Sequence, residues 1–158
     1  NGNVNYRKKK QIIFLGRFVK HKNIKDLIIA FKNSKLEKHG YKLILCGEKQ
    51  GSYFSELKKI ANPNIIFAGY VSGKDKWRLV ENSEVLFLPS KSENFGNVVL
   101  EALSVGTLVV VTKNSPWISY ANNSFLFTTD NSIDDIIITS FFSLEPNIFR
   151  GPLYFTYA

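Results

Sequence analysis

Five short apolar runs rich in Val, Ile, Leu and Phe punctuate this chain, at positions 11–15, 41–46, 65–68, 85–88 and 108–111, and a stretch of helical spacing separates each from the next. This alternation limits the fold more than any other feature. Runs that stay apolar without alternating belong to strands covered on both faces, which is the habit of parallel sheets flanked by helices. The order β-α-β-α-β-α-β-α-β therefore predicts an α/β fold with a doubly wound, Rossmann-like parallel sheet.

The intervening segments carry the matching pattern. Ile24, Leu27, Ile28 and Phe31 recur at helical spacing, predicting a helix to about Ser34. Phe54, Leu57 and Ile60 or Ala61 mark a second helix, stopped before Pro63. A third is expected over 74–82 with Trp77 and Val80 on its apolar side, and a fourth over 97–104 with Val98, Val99, Ala102 and Leu103 facing inward. A helical turn over 116–120, a sixth strand over 125–127 and a last helix over 133–142 complete the expected elements, while 146–158 shows no period. No composition shift marks a boundary, so the whole chain, 1–158, reads as a single domain.

Composition narrows the class. With 44% hydrophobic and 22% charged residues, the 158 residues resemble an ordinary soluble domain with room for one core. No apolar run reaches the length of a membrane span. The single cysteine, Cys46, excludes an internal disulfide and suits a reducing compartment; within an apolar run it is expected to be buried and inert. Methionine is absent, so the chain is expected to be part of something longer or trimmed. The net charge of +8, from 21 basic and 13 acidic residues, favours an anionic partner. Arg7, Lys8, Lys9 and Lys10 are read as a solvated flank before the first strand. No nucleic-acid motif is visible, and the aromatics fall mostly in apolar runs, so nucleic acid is not the expected partner.

In open parallel sheets, ligands bind beyond the C-terminal strand ends. Gly16, Gly47, Gly69 and Pro89 fall at those ends. Arg17 and Lys22 follow the first strand, one offering a planar fork for phosphate oxygens and the other a point charge. The fourth strand leads into Leu-Pro-Ser-Lys-Ser-Glu-Asn-Phe-Gly-Asn-Val-Val-Leu-Glu-Ala-Leu-Ser-Val-Gly at 88–106, where Glu93 sits in a turn and Glu101 in the following helix, seven residues between them. A strand end, a turn and a helix N-terminus suit an anionic or hydroxyl-rich ligand. The plainer reading is an ordinary strand-to-helix turn, capped by Ser90 or Ser92, with Glu101 a solvated helix residue.

Pro-Ser-x-x-Glu-x-Phe-Gly followed by Glu-Ala-Leu, Gly-Thr and an apolar strand resembles the signature of family 4 of the retaining glycosyltransferases. Leu-Gly-Arg-Phe-Val-Lys-His-Lys-Asn at 15–23 is similar to that family's Gly-Arg…Lys-Gly element, with Asn23 where Gly is usual. The resemblance spans roughly 12–127 and implies the C-terminal, donor-binding half of a GT-B enzyme. It implies transfer of a hexose from a nucleotide diphosphate sugar, with retention, to an acceptor glycan or glycolipid hydroxyl in surface polysaccharide or glycolipid synthesis. The acceptor would be held by an N-terminal domain absent from this chain, which alone would bind nucleotide weakly and transfer nothing. By resemblance Arg17 and Lys22 hold the donor diphosphate and Glu101 the ribose hydroxyls. Glu93, with the turn residues Asn94, Phe95, Gly96 and Asn97, contacts the donor sugar. Tyr70 and Val71 lie near the nucleobase, and Gly47 lets the ligand approach the second strand end. Glu93, Arg17 and Lys22 are the residues expected to take part in the chemistry.

Other constellations carry less. Gly69-Tyr-Val-Ser-Gly-Lys74 has three residues between its glycines and Asp75 after the Lys, so it is not a phosphate loop. His21 and His39 lack neighbouring ligands at metal spacing, and there is no Asp-x-Asp pair, so neither a metal nor another cofactor is implied. Ser115-Pro116-Trp117 resembles a loop of members that build bacterial surface saccharides, although Ile118 and Ser119 follow where an acid is usual; Trp117 is expected to pack on the sheet. A hydrolase pair of carboxylates is disfavoured because Glu101 lies in the helix behind the turn. The alternatives to a transferase half are a non-catalytic donor-domain subunit and half of a sugar-nucleotide epimerase. The expected location is cytoplasmic, and the basic surface is compatible with peripheral association at the inner face of the membrane.

Overall fold

The computed structural model describes residues 8–90, 97–112, 116–117 and 126–129. Its elements run β1 (Lys9–Leu15), α1 (Ile24–Ser34), β2 (Lys42–Cys46), α2 (Gly51–Ile60), β3 (Ile65–Phe67), α3 (Gly73–Asn82), β4 (Ser83–Leu88), α4 (Asn97–Ser104), β5 (Leu108–Thr112) and β6 (Leu126–Thr129), with short 3-10 turns at Lys20–Lys22 and Leu36–His39. The strands form one six-stranded sheet in the order β3-β2-β1-β4-β5-β6. Every adjacent pair is parallel.

The expected doubly wound sheet is therefore present. The chain leaves β1 toward β2 and β3, crosses back through α3 to β4, and continues outward to β5 and β6. Right-handed crossovers in opposite directions put their helices on opposite faces. Accordingly, α1 packs with α2, and α3 with α4. Consecutive strand residues point to opposite faces, so a strand whose neighbours are all buried must be covered twice. Ile12, Ile13 and Phe14 of β1 are all inaccessible, and every residue of β4 is buried. Burying each such Leu, Ile or Phe side chain contributes roughly 1.5–3 kcal/mol, so the two central strands anchor the core.

The helices follow the sequence pattern with one exception. Ile24, Leu27, Ile28 and Phe31 form the buried stripe of α1. Val99 and Ala102 are buried in α4, with Val98 and Leu103 packed at the margin. In α3, however, Trp77 is not on the buried side. It is 42% exposed, while Val80 is fully buried. The inward stripe runs through Lys76, Leu79 and Val80. A helix position three residues before Val80 lies about 60° round from it, on the side away from Lys76 and Leu79, so Trp77 falls on the flank. Trp117 is 6% exposed and belongs to the core, as expected from its apolar bulk. Cys46 is buried and its thiol is pushed up to about 12 by burial, which makes it inert as expected.

The basic flank is corrected more sharply. Lys9 and Lys10 belong to β1 and are exposed. Lys8 is not solvated: its ammonium donates to Glu81 O at 2.7 Å, Thr107 Oγ1 at 2.9 Å and Val105 O at 3.2 Å. Three acceptors match the three donors of an ammonium. Lys8 thus joins the start of β1 to the end of α3 and to the turn between α4 and β5. Arg7, the 118–120 part of the expected helical turn, Phe125 of the expected sixth strand, the helix expected over 133–142 and the tail lie outside the described residues.

Candidate functional site

The site is built where the winding of the sheet reverses. β1 and β4 are neighbours, paired through Ile12 with Val85 and Ile13 with Leu86, yet the connections from their C-terminal ends leave in opposite directions. A crevice must open between those connections, and it is the preferred ligand position in such sheets. The loop after β1 carries Arg17 and Lys22, and the turn after β4 leads to α4 and Glu101. The topology therefore delivers both segments to one edge.

The loop after β1 is anchored rather than loose. Phe18 turns inward and is 7% exposed. Its ring stacks on Phe54 at 5.9 Å with an interplanar angle of 10°, and meets Phe67 edge-on at 6.0 Å. With Phe18 held inside, the adjacent Arg17 is presented to solvent. Val19 N–H donates to Arg17 O, Lys22 N–H to Val19 O and Asn23 N–H to Lys20 O, each at 3.0 Å, so the loop coils into a tight 3-10 turn before α1. Asn23 sits at φ 56°, ψ 32°, a left-handed conformation. Asn tolerates that region better than other non-glycine residues, which accounts for Asn at a place where the resembling element usually has Gly.

Gly47 is required by the protein's own backbone. A Cβ there would stand 2.3 Å from Gly16 O and 2.9 Å from the Phe18 ring. Gly16 N–H donates to Cys46 O and Gly47 N–H to Gly69 O, both at 3.0 Å, so the ladder of the sheet continues past the ends of β1 and β2. The end of β1 therefore makes a close approach at Gly47 whatever a ligand does there. Tyr70 is 75% exposed and Val71 half-buried on the loop after β3. That loop is on the same edge but is separated from β1 by β2.

On the other side of the crevice, α4 begins at Asn97, which is exposed. Glu101 is half-buried, and its Oε1 accepts a 2.8 Å hydrogen bond from Lys76 Nζ of α3. Glu93, Asn94, Phe95 and Gly96 lie outside the described residues. Among the described residues, no cluster of three His, Cys, Asp or Glu could hold a metal ion. Lys76 escaped the sequence reading. Its one visible signal was a cation near the start of an amphipathic helix, on the inward stripe. What the edge can do chemically is hold an oxyanion between the loop cations and the start of α4, and accept hydrogen bonds from hydroxyls at Glu101.

Comparison with known proteins agrees with this fold. The family described as glycosyl transferases group 1 matches residues 1–137. An uncharacterized glycosyltransferase of Methanocaldococcus jannaschii is 36% identical over 105 residues, covering 65% of this chain and 27% of that protein. The capsular polysaccharide biosynthesis glycosyltransferase CapM of Staphylococcus aureus is 33% identical over 103 residues, covering 63% of this chain and 27% of CapM. The chain therefore spans little more than a quarter of the length of these relatives. Among solved structures, Anabaena HepE in complex with UDP and glucose superposes with a TM-score of 0.72 at 21% identity, over 92% of this chain and 41% of HepE. The shared fold is that of one half of a GT-B architecture.

Proposed function

Because the chain belongs to the glycosyl transferases group 1 family, we propose that it is the donor-binding half of a nucleotide-sugar-dependent glycosyltransferase of the retaining family 4 type. The observation that supports this is the adjacency of β1 and β4 at the reversal of the sheet, which directs the loop carrying Arg17 and Lys22 and the connection from β4 to α4, the helix of Glu101, to one edge. A sugar nucleotide has a diphosphate in the middle, a ribose diol on one side and a hexose on the other. Cations, a carboxylate and turn amides along one crevice suit those three parts in order.

In this reading Arg17 and Lys22 stabilise the diphosphate as it departs with the bonding pair of the anomeric C–O bond. Glu93 and the amides of 94–97 orient the hexose, so that the acceptor oxygen bonds to the anomeric carbon on the face the diphosphate leaves and gives its proton to the departing diphosphate, preserving configuration. Glu101 accepts hydrogen bonds from the ribose hydroxyls. Tyr70 and Val71 border the base. Charge neutralisation at the diphosphate falls to side chains and the helix terminus, with no metal ion required. The acceptor is held by a second domain, and the resemblance to CapM supports surface polysaccharide as the product. Working at the inner face of the membrane from the cytoplasm would place the enzyme beside such acceptors.

Titration calorimetry of the full 158-residue chain with UDP and GDP tests the site. Arg17→Ala and Glu101→Ala should each weaken the preferred nucleotide by about 1.5–3 kcal/mol, the worth of a charge-assisted hydrogen bond. Unchanged affinity in both variants would contradict the assignment. As a donor half, the chain binds without transferring; measurable sugar transfer by the chain alone would overturn that part.

A further inference from the structure

Lys76 breaks a local rule. It lies in the first turns of α3, which begins at Gly73, where the helix dipole disfavours a cation. It also occupies the inward stripe beside Val80, a place an apolar residue would fill with profit to the core. A residue that opposes both local preferences is there for a contact further away. The contact is Glu101: Nζ to Oε1 is 2.8 Å, and both side chains are about three-quarters covered, at 28% and 24% exposure. The Trp77 ring, 5.9 Å from Nζ, flanks the ammonium.

The pairing leaves Glu101 able to act. A carboxylate has about four lone-pair sites, and Lys76 uses one of them. Among the described residues, Oε2 accepts no hydrogen bond. Glu101 is the fifth residue of α4, so it lies roughly 6 Å along the axis from the helix start at the ligand edge. Lys76 is the fourth residue of α3, whose start is at that same edge. An unpaired carboxylate here would rotate freely, whereas a paired one is held in one plane.

We propose that Lys76 is the positioning residue for ribose recognition: it locks the Glu101 carboxylate so that its remaining lone pairs meet a vicinal diol. This rests on the reading of Glu101 as the ribose ligand. The prediction is specific to the sugar ring. Losing one cation near an anion site weakens every nucleotide alike, whereas losing the orientation of Glu101 weakens only those that carry the diol.

The experiment compares UDP with 2′-deoxy-UDP, and GDP with 2′-deoxy-GDP, by calorimetry on the full chain, as wild type, Lys76→Met and Lys76→Arg. Thermal unfolding of each variant accompanies the titrations. Lys76→Met should weaken the ribonucleotide about tenfold, the equivalent of one charge-assisted bond, and bring the ribo-to-deoxy affinity ratio toward one. Lys76→Arg should restore most of the ratio, because a guanidinium can keep the pair. If Lys76→Met lowers both affinities equally, or raises the ribonucleotide affinity, or shifts only the unfolding temperature, the positioning role is wrong while the site stands. If the wild type binds neither UDP nor GDP, the reading of the site itself fails.

Discussion

The two rims of the sheet are made of similar residues put to opposite uses. At the rim where the strands begin, polar side chains are consumed by the protein. Lys8 binds three acceptors, Gln11 Nε2 donates to Ser83 Oγ at 2.8 Å, Ser83 Oγ donates to Leu79 O at 2.6 Å, and Thr107 Oγ1 donates to Val80 O at 2.7 Å. Tyr41 OH closes the set on Glu84 Oε2 at 2.6 Å. At the rim where the strands end, the backbone is tied but the side chains of Arg17 and Tyr70 face solvent. One rim spends its hydrogen bonds on cohesion, and the other holds groups available to a ligand. Charge alone does not separate them, since lysines stand at both. What separates Lys8 from Arg17 is whether carbonyl and hydroxyl acceptors of the chain are within reach.

The largest effect expected from breaking this division is at Gly47, where the ligand rim is structural. Gly47→Ala would push a methyl group to 2.3 Å from Gly16 O, a backbone atom that cannot swing aside. The cost should be about 3 kcal/mol, at the top of the overpacking range, seen as a lower urea midpoint. A loss under about 1 kcal/mol, within the range of ordinary substitutions, would mean that the strand ends are malleable and the crevice is not pre-formed. Arg17 should show the reverse pattern. Arg17→Ala should leave stability within about 0.5 kcal/mol, as expected for an exposed side chain, while nucleotide affinity falls by the 1.5–3 kcal/mol of a charge-assisted bond. Stability loss at Arg17 without loss of affinity would erase the distinction between the rims.

Much of this was legible in one dimension, for identifiable reasons. The succession of strands and helices and most helix faces follow from period and length, and the ligand edge from the winding of the sheet. Arg17, Lys22 and Glu101 each lie just past a strand or in the helix that follows one, but it is the resemblance of their segments to the family's motifs that singles them out. Two residues were misread because their partners are distant in sequence. Lys8 looked like one more solvated charge in a basic run, but its acceptors are 73 to 99 residues away. Trp77 looked like core because its size suggests burial, but Lys76 holds the stripe for a partner 25 residues further on. Local pattern reports the preference of a residue for being buried, not the acceptors that wait for it.

The smallest effects concern Lys8 and sharpen the comparison most. Lys8→Met leaves two carbonyls and a hydroxyl short of a donor, which should cost about 1–2 kcal/mol and leave nucleotide affinity unchanged. The pH dependence carries a sign as well. Burial lowers the Lys8 ammonium to about 8, against smaller opposing pulls from Glu81 and Glu84. Between about pH 8 and its ordinary value of 10.5 the unfolded chain then binds more protons at this group than the folded one, so its contribution to stability rises with pH across that window. Tyr41 and Cys46 act oppositely. Burial and the bond to Glu84 raise Tyr41, and burial raises Cys46, so both lose stability as pH climbs through their ordinary values. Only the difference between wild type and Lys8→Met isolates the lysine. Urea unfolding of both proteins from pH 7 to 10 should show that difference growing with pH above about 8, because deprotonation removes the penalty of a desolvated charge. A difference that shrinks instead would mean that the three acceptors hold the ammonium more strongly than burial opposes it, and that the closed rim is a true ammonium site.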